Sequence, residues 1–181
     1  GYAAAYAQLE RSLTQNEIWV ISRAKDNSRM LVRAGSESDP GLIYNYDDTG
    51  KRMEVLVEMR PEIDITHLAM PKPIAYTARD GTRIHGYLTL PRGREASGLP
   101  LIILPHGGPY GIRDKLDYDD QVQLLANRGY AVLQPNFRGS GGYGQDFYDL
   151  GVGQIGRGMQ DDLDDGMDWA VARGIADPAR V

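Results

Sequence analysis

Two short runs in this chain lack the alternation of a half-buried strand. LPLIILP (99–105) and YAVLQP (130–135) are apolar at nearly every position, the pattern of a strand covered on both faces. Between them, DYDDQVQLLANRG (117–129) offers Asp119 or Asp120 as N-cap, an apolar stripe of Val122, Leu125 and Ala126, and a stop at Gly129. Strand, helix and strand in that order predict a βαβ unit, with parallel strands and a right-handed crossover. The fold class is therefore α/β. Upstream, IAYTARDGTRIHGYLTLP (74–91) reads as two strands joined at Asp80-Gly81, a strong hairpin signal. Downstream, MQDDLDDGMDWAVARG (159–174) reads as a helix with Met159, Leu163, Met167, Ala170 and Val171 on one face. Its aspartates at 161, 162, 164, 165 and 168 are expected mostly to face solvent, where they suit the N-terminal half of a helix dipole. No metal is expected here, because no ligand from elsewhere is at hand to complete a site.

The first third has a different grammar. IWVIS, MLVRA, LIYNY and MEVLVE are β-prone runs separated by turn-rich connections between Ile18 and Glu58. In the last run Met53, Val55 and Val57 are expected on one face, and Glu54, Leu56 and Glu58 on the other. Four antiparallel strands in about 40 residues match one β-propeller blade in number and length, and equally an ordinary meander. Residues 59–73 hold Pro61, Pro71 and Pro73, which read as a joint between units. His67 in the joint and His85 in the hairpin are expected to be surface or strand residues.

Composition excludes several classes. No apolar run approaches the ~20 residues of a transmembrane helix, so no membrane partner is expected. A formal charge of −5 argues against a nucleic-acid partner. There is no cysteine, so disulfides and thiolate chemistry are absent. GYAAAYAQLERS lacks the charged start and apolar core of a signal peptide.

Two glycine loops remain. Gly139, Gly141 and Gly144 fit G-x-G-x-x-G after the second buried strand. A dinucleotide site needs a helix directly after that loop and an acidic residue ending the next strand. Here the glycine-rich QDFYDLGVGQIGRG is expected not to propagate a helix, and the aspartates further on lie inside a helix. No nucleotide cofactor is expected, nor any other. The second loop, His106-Gly107-Gly108-Pro109, directly follows the first buried strand. In α/β-hydrolases such a loop supplies a backbone N–H to the oxyanion hole, where fixed donors about 3 Å away stabilise a tetrahedral intermediate.

Taken together, KPIAYTARDGTRIHGYLTLP, PLIILPHGGP, LLANRGYAVLQPNFRGSGGYG and DDLDDGMDWAVARGIADPARV resemble the prolyl oligopeptidase family of serine peptidases, above all its acylaminoacyl-peptidase and dipeptidyl-peptidase-like branch. The resemblance covers about Ile74 to Val181. It implies the end of a β-propeller over residues 1–60, a linker over 61–73, and over 74–181 the N-terminal half of an α/β-hydrolase domain. It also implies Gly108 as the oxyanion donor with Gly107 allowing the turn, NFRGSGGYG as part of the active-site rim, and His106, Tyr110 and Arg113 toward a peptide substrate. Some relatives use a tyrosine hydroxyl where this chain has His106, so the histidine is expected instead to orient the loop.

A serine hydrolase of this fold needs G-x-S-x-G, then an acid, then a histidine. None of the serines lies in G-x-S-x-G, and no histidine follows His106. The resemblance places the nucleophile beyond Val181, so the chain alone is expected to be inactive. Half a parallel sheet leaves edges and apolar faces uncovered. The rest of the hydrolase domain, or a second copy in a homo-oligomer, is the expected cover. Two rival readings stay open: a carboxylesterase or dienelactone-type hydrolase without a propeller, and a non-catalytic protein that binds peptides or partners.

Overall fold

The computed structural model describes residues 1–14 and 16–181. They form two compact units, residues 1–68 with 117–119 and residues 69–116 with 120–181.

The first unit is a four-stranded antiparallel meander of β1 (Glu17–Arg23), β2 (Arg29–Ser36), β3 (Asp39–Asp47) and β4 (Arg52–Glu58), paired in chain order. All four β-prone runs are strands. A helix precedes them, α1 (Tyr2–Ser12), in a segment the sequence reading weighed only as a leader. Its three consecutive alanines favour helix. Ala5 and Leu9, four residues apart and so on one face, pack with Met30, Val32 and Tyr46. The meander thus has a helix of its own covering one face.

β4 departs from the alternation expected of it. Val55 lies opposite Tyr44 but Val57 lies opposite Ile43, so Leu56 is the extra residue of a β-bulge. Adjacent residues of β3 face opposite ways, so Val57 turns to the face that Val55 does not share. All three apolar residues are exposed.

The second unit holds a four-stranded sheet in the order β5 (Lys72–Thr77), β6 (Arg83–Thr89), β8 (Ala131–Asn136), β7 (Leu101–Ile103). β5 and β6 form the expected hairpin; its turn is closed by Gly81 N–H donating to Ala78 C=O, with Gly81 at φ +89°. β7 and β8 are parallel, joined through α2 (Asp120–Asn127), which is the predicted βαβ unit. Every residue of β8 is buried. Pro73 sits on the edge strand β5, and Pro135 lies past the last β7 pairing at Leu133; both are places where a missing N–H breaks no shared ladder. Along α2, Val122 and Ala126 are buried as expected. So is Gln123, whose amide exchanges two 2.8 Å hydrogen bonds with the backbone of Ala69.

Helix α4 (Gly158–Ala172) buries Met159 and Ala170 of the expected stripe together with Asp162 and Gly166, while Leu163, Met167 and Val171 of that stripe are half-buried. The helix approaches the sheet most closely at Gly166, where a Cβ would come within 2.8 Å of the Tyr76 hydroxyl and 3.1 Å of Leu133. A larger side chain there would hold the helix off.

Gly86 is equally constrained: a Cβ would meet the Gln134 carbonyl oxygen at 2.5 Å and Pro135 Cα at 3.0 Å. Because those atoms are backbone, Gly86→Ala should destabilise the protein by about 1–3 kcal/mol or more. Urea denaturation of wild type and variant measures this; an unchanged midpoint would refute the close β6–β8 approach.

Candidate active-site loops at the carboxyl ends of the parallel strands

Parallel strands end at the same edge of a sheet, and the loops leaving their carboxyl ends share one crevice. Leu104 N–H extends the ladder to Leu133 C=O (2.8 Å), and the chain then leaves β7 as His106-Gly107-Gly108-Pro109. β8 ends at Asn136 and leaves as Phe137-Arg138-Gly139-Ser140. The two loops are stitched together by backbone. Gly111 N–H donates to Gly139 C=O (3.0 Å) and Gly141 N–H to Ile112 C=O (2.9 Å). The Asn136 side chain, fully buried, adds a third stitch: Oδ1 accepts from Asp114 N–H (2.8 Å), while Nδ2 donates to Asp114 C=O (3.1 Å) and to the Tyr143 hydroxyl (2.8 Å).

His106 is used up within the protein. Its ring stacks on Phe137 at 4.5 Å. Nε2 donates to Ser140 Oγ (2.8 Å), whose buried hydroxyl donates in turn to Phe137 C=O (2.6 Å), and Nδ1 lies 2.9 Å from Gly107 O. Tyr110 packs against Tyr148 and donates to Gly151 C=O (3.0 Å). His85 is half-buried and stacks on Tyr143, and His67 is exposed.

Gly107 and Gly108 are both exposed, and their N–H groups have no acceptor among the described residues. Gly108 carries φ +135°, and a Cβ there would meet Ile112 at 3.0 Å, whereas a Cβ at Gly107 meets nothing within 4 Å. Gly108 itself makes the turn that only glycine adopts readily.

The G-x-G-x-x-G glycines have another use than holding phosphate. A Cβ at Gly141 would fall 2.3 Å from the Gly111 carbonyl oxygen, and one at Gly139 would fall 2.9 Å from Met159 and 3.3 Å from Gly151 Cα. The following segment does form one short helix, α3 (Gln145–Asp149), where the sequence was expected to give none. Glycines at 151, 153 and 156 keep it to that length.

The sequence reading missed the residue that anchors this region. Arg138 is only 7% exposed. Its Nε and Nη2 make a two-pronged pair with Asp162 Oδ2 and Oδ1 (2.9 and 2.7 Å), and its own N–H donates to the same carboxylate (2.9 Å). Nη1 reaches Asp80 on the hairpin (2.8 Å). Asp162, expected among solvent-facing aspartates, is fully buried, and its backbone carbonyl accepts from Tyr76 (2.6 Å). Asp161 and Asp165 both pair with Arg79. The aspartate run therefore docks α4 through arginines. Its signal was present: Met159, Asp162, Gly166 and Ala170 follow helical spacing, with a carboxylate in the stripe. Among the described residues no group of three or more His, Asp or Glu side chains is arranged to hold a metal.

Fold and loops define an α/β protein whose free backbone donors gather where two parallel strands end. Residues 116–181 match the sequence profile of the prolyl oligopeptidase family. Dipeptidyl aminopeptidase BIII of Pseudoxanthomonas mexicana is 36% identical over 98% of this chain and 27% of its own length. Dipeptidyl peptidase family member 6 of Caenorhabditis elegans is 34% identical over 90% of the chain and 25% of its own length. Among solved structures, a puromycin-hydrolysing peptidase of Mycobacterium tuberculosis superposes with TM-score 0.69 at 28% identity, covering 85% of this chain and 25% of that one. The chain belongs to the prolyl oligopeptidase family. It spans about a quarter of the length of the curated relatives it matches.

Two outcomes are expected of the arginine network. Asp162→Ala leaves Arg138 buried without its main partner and should cost about 3–5 kcal/mol, read by urea denaturation. The second concerns Asp80. The Arg138 guanidinium, then the Thr82 backbone N–H, hold its carboxyl well below the usual carboxylate range. A carboxylate with a depressed folded pKa adds stability that is complete above its unfolded value and is lost as pH falls toward the folded one. The stability gap between wild type and Asp80→Asn should thus be constant above about pH 5 and close below about pH 4. A gap that widens in acid would refute the pairing.

Proposed function

We propose that the chain is part of a serine peptidase that hydrolyses short peptides through an acyl-enzyme. The observation that carries this reading is the pair of exposed N–H groups of Gly107 and Gly108, without an acceptor among the described residues, at the carboxyl end of a parallel strand, in a member of this family. Attack by a serine on a peptide carbonyl places negative charge on its oxygen, and donors already fixed toward that position stabilise the charge without reorganising. Gly108 is the oxyanion donor in this reading. His106, tied to Phe137 and Ser140, orients the loop, and Tyr110 holds its far side against Gly151.

In the same reading, residues 74–181 are the first part of an α/β-hydrolase domain and 61–73 the linker. Residues 1–60 belong to a β-propeller whose neighbouring strands cover the exposed Val55, Leu56 and Val57 of β4. The C-terminal residues support a sheet that continues: Leu99 bridges Ala176 in parallel, and Leu101 N–H donates to Arg180 C=O (2.9 Å) on the open side of β7. A strand following that course would carry the nucleophile elbow. The serine, acid and base lie outside this chain, and residues 1–181 by themselves have no hydrolase activity.

The reading is tested by the intact mass of the full-length protein after exposure to a fluorophosphonate. One adduct is expected, on a serine outside residues 1–181; an unlabelled protein overturns the reading. Gly108→Ala keeps the backbone N–H but strains the turn at φ +135° and pushes a Cβ against Ile112. It should therefore misplace the donor and lower kcat by up to about 10²-fold, while Gly107→Ala should cost much less because its Cβ enters open space. Equal losses would show that the turn at Gly108 does not position the donor.

A further inference from the structure

Arg113 is the member of the expected site that the fold leaves unspent. It follows Ile112, whose side chain stands against Gly108, so it is held one residue away from the oxyanion loop. Its side chain is exposed and has no carboxylate partner among the described residues, although the chain as a whole is acidic. Three features hold it in place. A Cβ built on Gly142 would lie 3.0 Å from Nη1 and 3.1 Å from both Cζ and Nε. Those near-equal distances mean that the guanidinium lies face-on against Gly142. Its Cζ is 5.7 Å from the Tyr143 ring centroid, and the Tyr143 hydroxyl accepts from buried Asn136. Asn136 also clamps both backbone groups of Asp114, the residue after Arg113. The guanidinium is thus backed on one face by Gly142, lies near the Tyr143 ring, and is otherwise exposed.

We propose that Arg113 binds a carboxylate of the peptide, making the enzyme selective for substrates that carry one near the scissile bond. A planar guanidinium presents parallel N–H donors that match a carboxylate two-to-two, and prior immobilisation removes much of the entropic cost of that pairing. Two carboxylates are chemically equivalent here, the C-terminal group of a short peptide and an acidic side chain. The inference rests on the peptidase reading of the preceding section.

The test uses the full-length enzyme and four short peptides of one sequence: a free C-terminal acid, its amide, and amides with Glu or Gln at the flanking position. Wild type should show a KM about tenfold lower or better for a carboxylate-bearing peptide than for its neutral counterpart. Preference for the free acid or for the Glu amide identifies which carboxylate is bound, and either supports the proposal. Arg113→Gln should collapse the ratio toward one. Arg113→Lys should keep part of it, as a point charge without the fork. Gly142→Ala, which retains the arginine but pushes a Cβ into its guanidinium, should reduce the ratio as well. The proposal is overturned if wild type does not discriminate, or if Arg113→Gln raises KM equally for charged and neutral peptides. Failure of wild type to cleave any of the four and to take a fluorophosphonate label would overturn the peptidase reading, and this inference with it.

Discussion

The buried pair of Arg138 and Asp162 is the interaction on which the second unit depends. A guanidinium and a carboxylate removed from water are tolerable only when they satisfy each other and their remaining hydrogen-bonding atoms. Here three donors of Arg138 converge on one carboxylate, and the fourth contact goes to Asp80. That arrangement joins three pieces of chain distant in sequence: the hairpin, the loop after β8, and α4. Tyr76 closes the circle by donating to the backbone of Asp162, and burial raises its phenol well above the ordinary range, so it stays a neutral donor. The direction in which the chain leaves β8 follows from where Arg138 must point.

Glycine does the rest of the positioning, by letting backbones touch. Gly139 meets Gly151 and Gly141 meets Gly111, each at distances no side chain would permit. Two loops from neighbouring strand ends are thereby held as one rigid rim. The polar groups inside it are matched: His106 with Ser140, Tyr110 with Gly151, Asn136 with Asp114. Among the described residues, donors left without an acceptor include the N–H groups of Gly107 and Gly108 and the guanidinium of Arg113. A site that acts on developing charge needs such donors held still in advance, and here the holding is done by neighbours that never touch the substrate.

Much of the scaffold was legible from pattern. Runs without alternation gave β7 and β8, turn residues gave the meander and the hairpin, and the capped stripe gave α2. Each is a local statement about which faces are apolar. The misreadings share a cause. On α4 the expected stripe holds at Met159 and Ala170, but closeness to the sheet adds Gly166 and charge pairing adds Asp162, while Leu163, Met167 and Val171 are half-buried. On β4 a single bulge at Leu56 reversed the faces of what followed. Helix α1 needed β2 and β3 as a partner surface before Ala5 and Leu9 meant anything.

The loops show the same division. The motif His106-Gly107-Gly108-Pro109 after a buried strand could be recognised in one dimension, because the chemistry requires small residues at that place. Which glycine turns the chain depended on the backbone path, and which of His106, Tyr110 and Arg113 is free to meet a ligand depended on residues about 30 to 40 positions away. Periodicity and turn chemistry act between near neighbours, so the sequence by itself determined the strands, helices α2 and α4, the parallel unit and the family. Hydrogen bonds and close backbone approaches act between whatever the fold brings together. Only the tertiary structure decided which polar groups are already paired and which remain for a substrate.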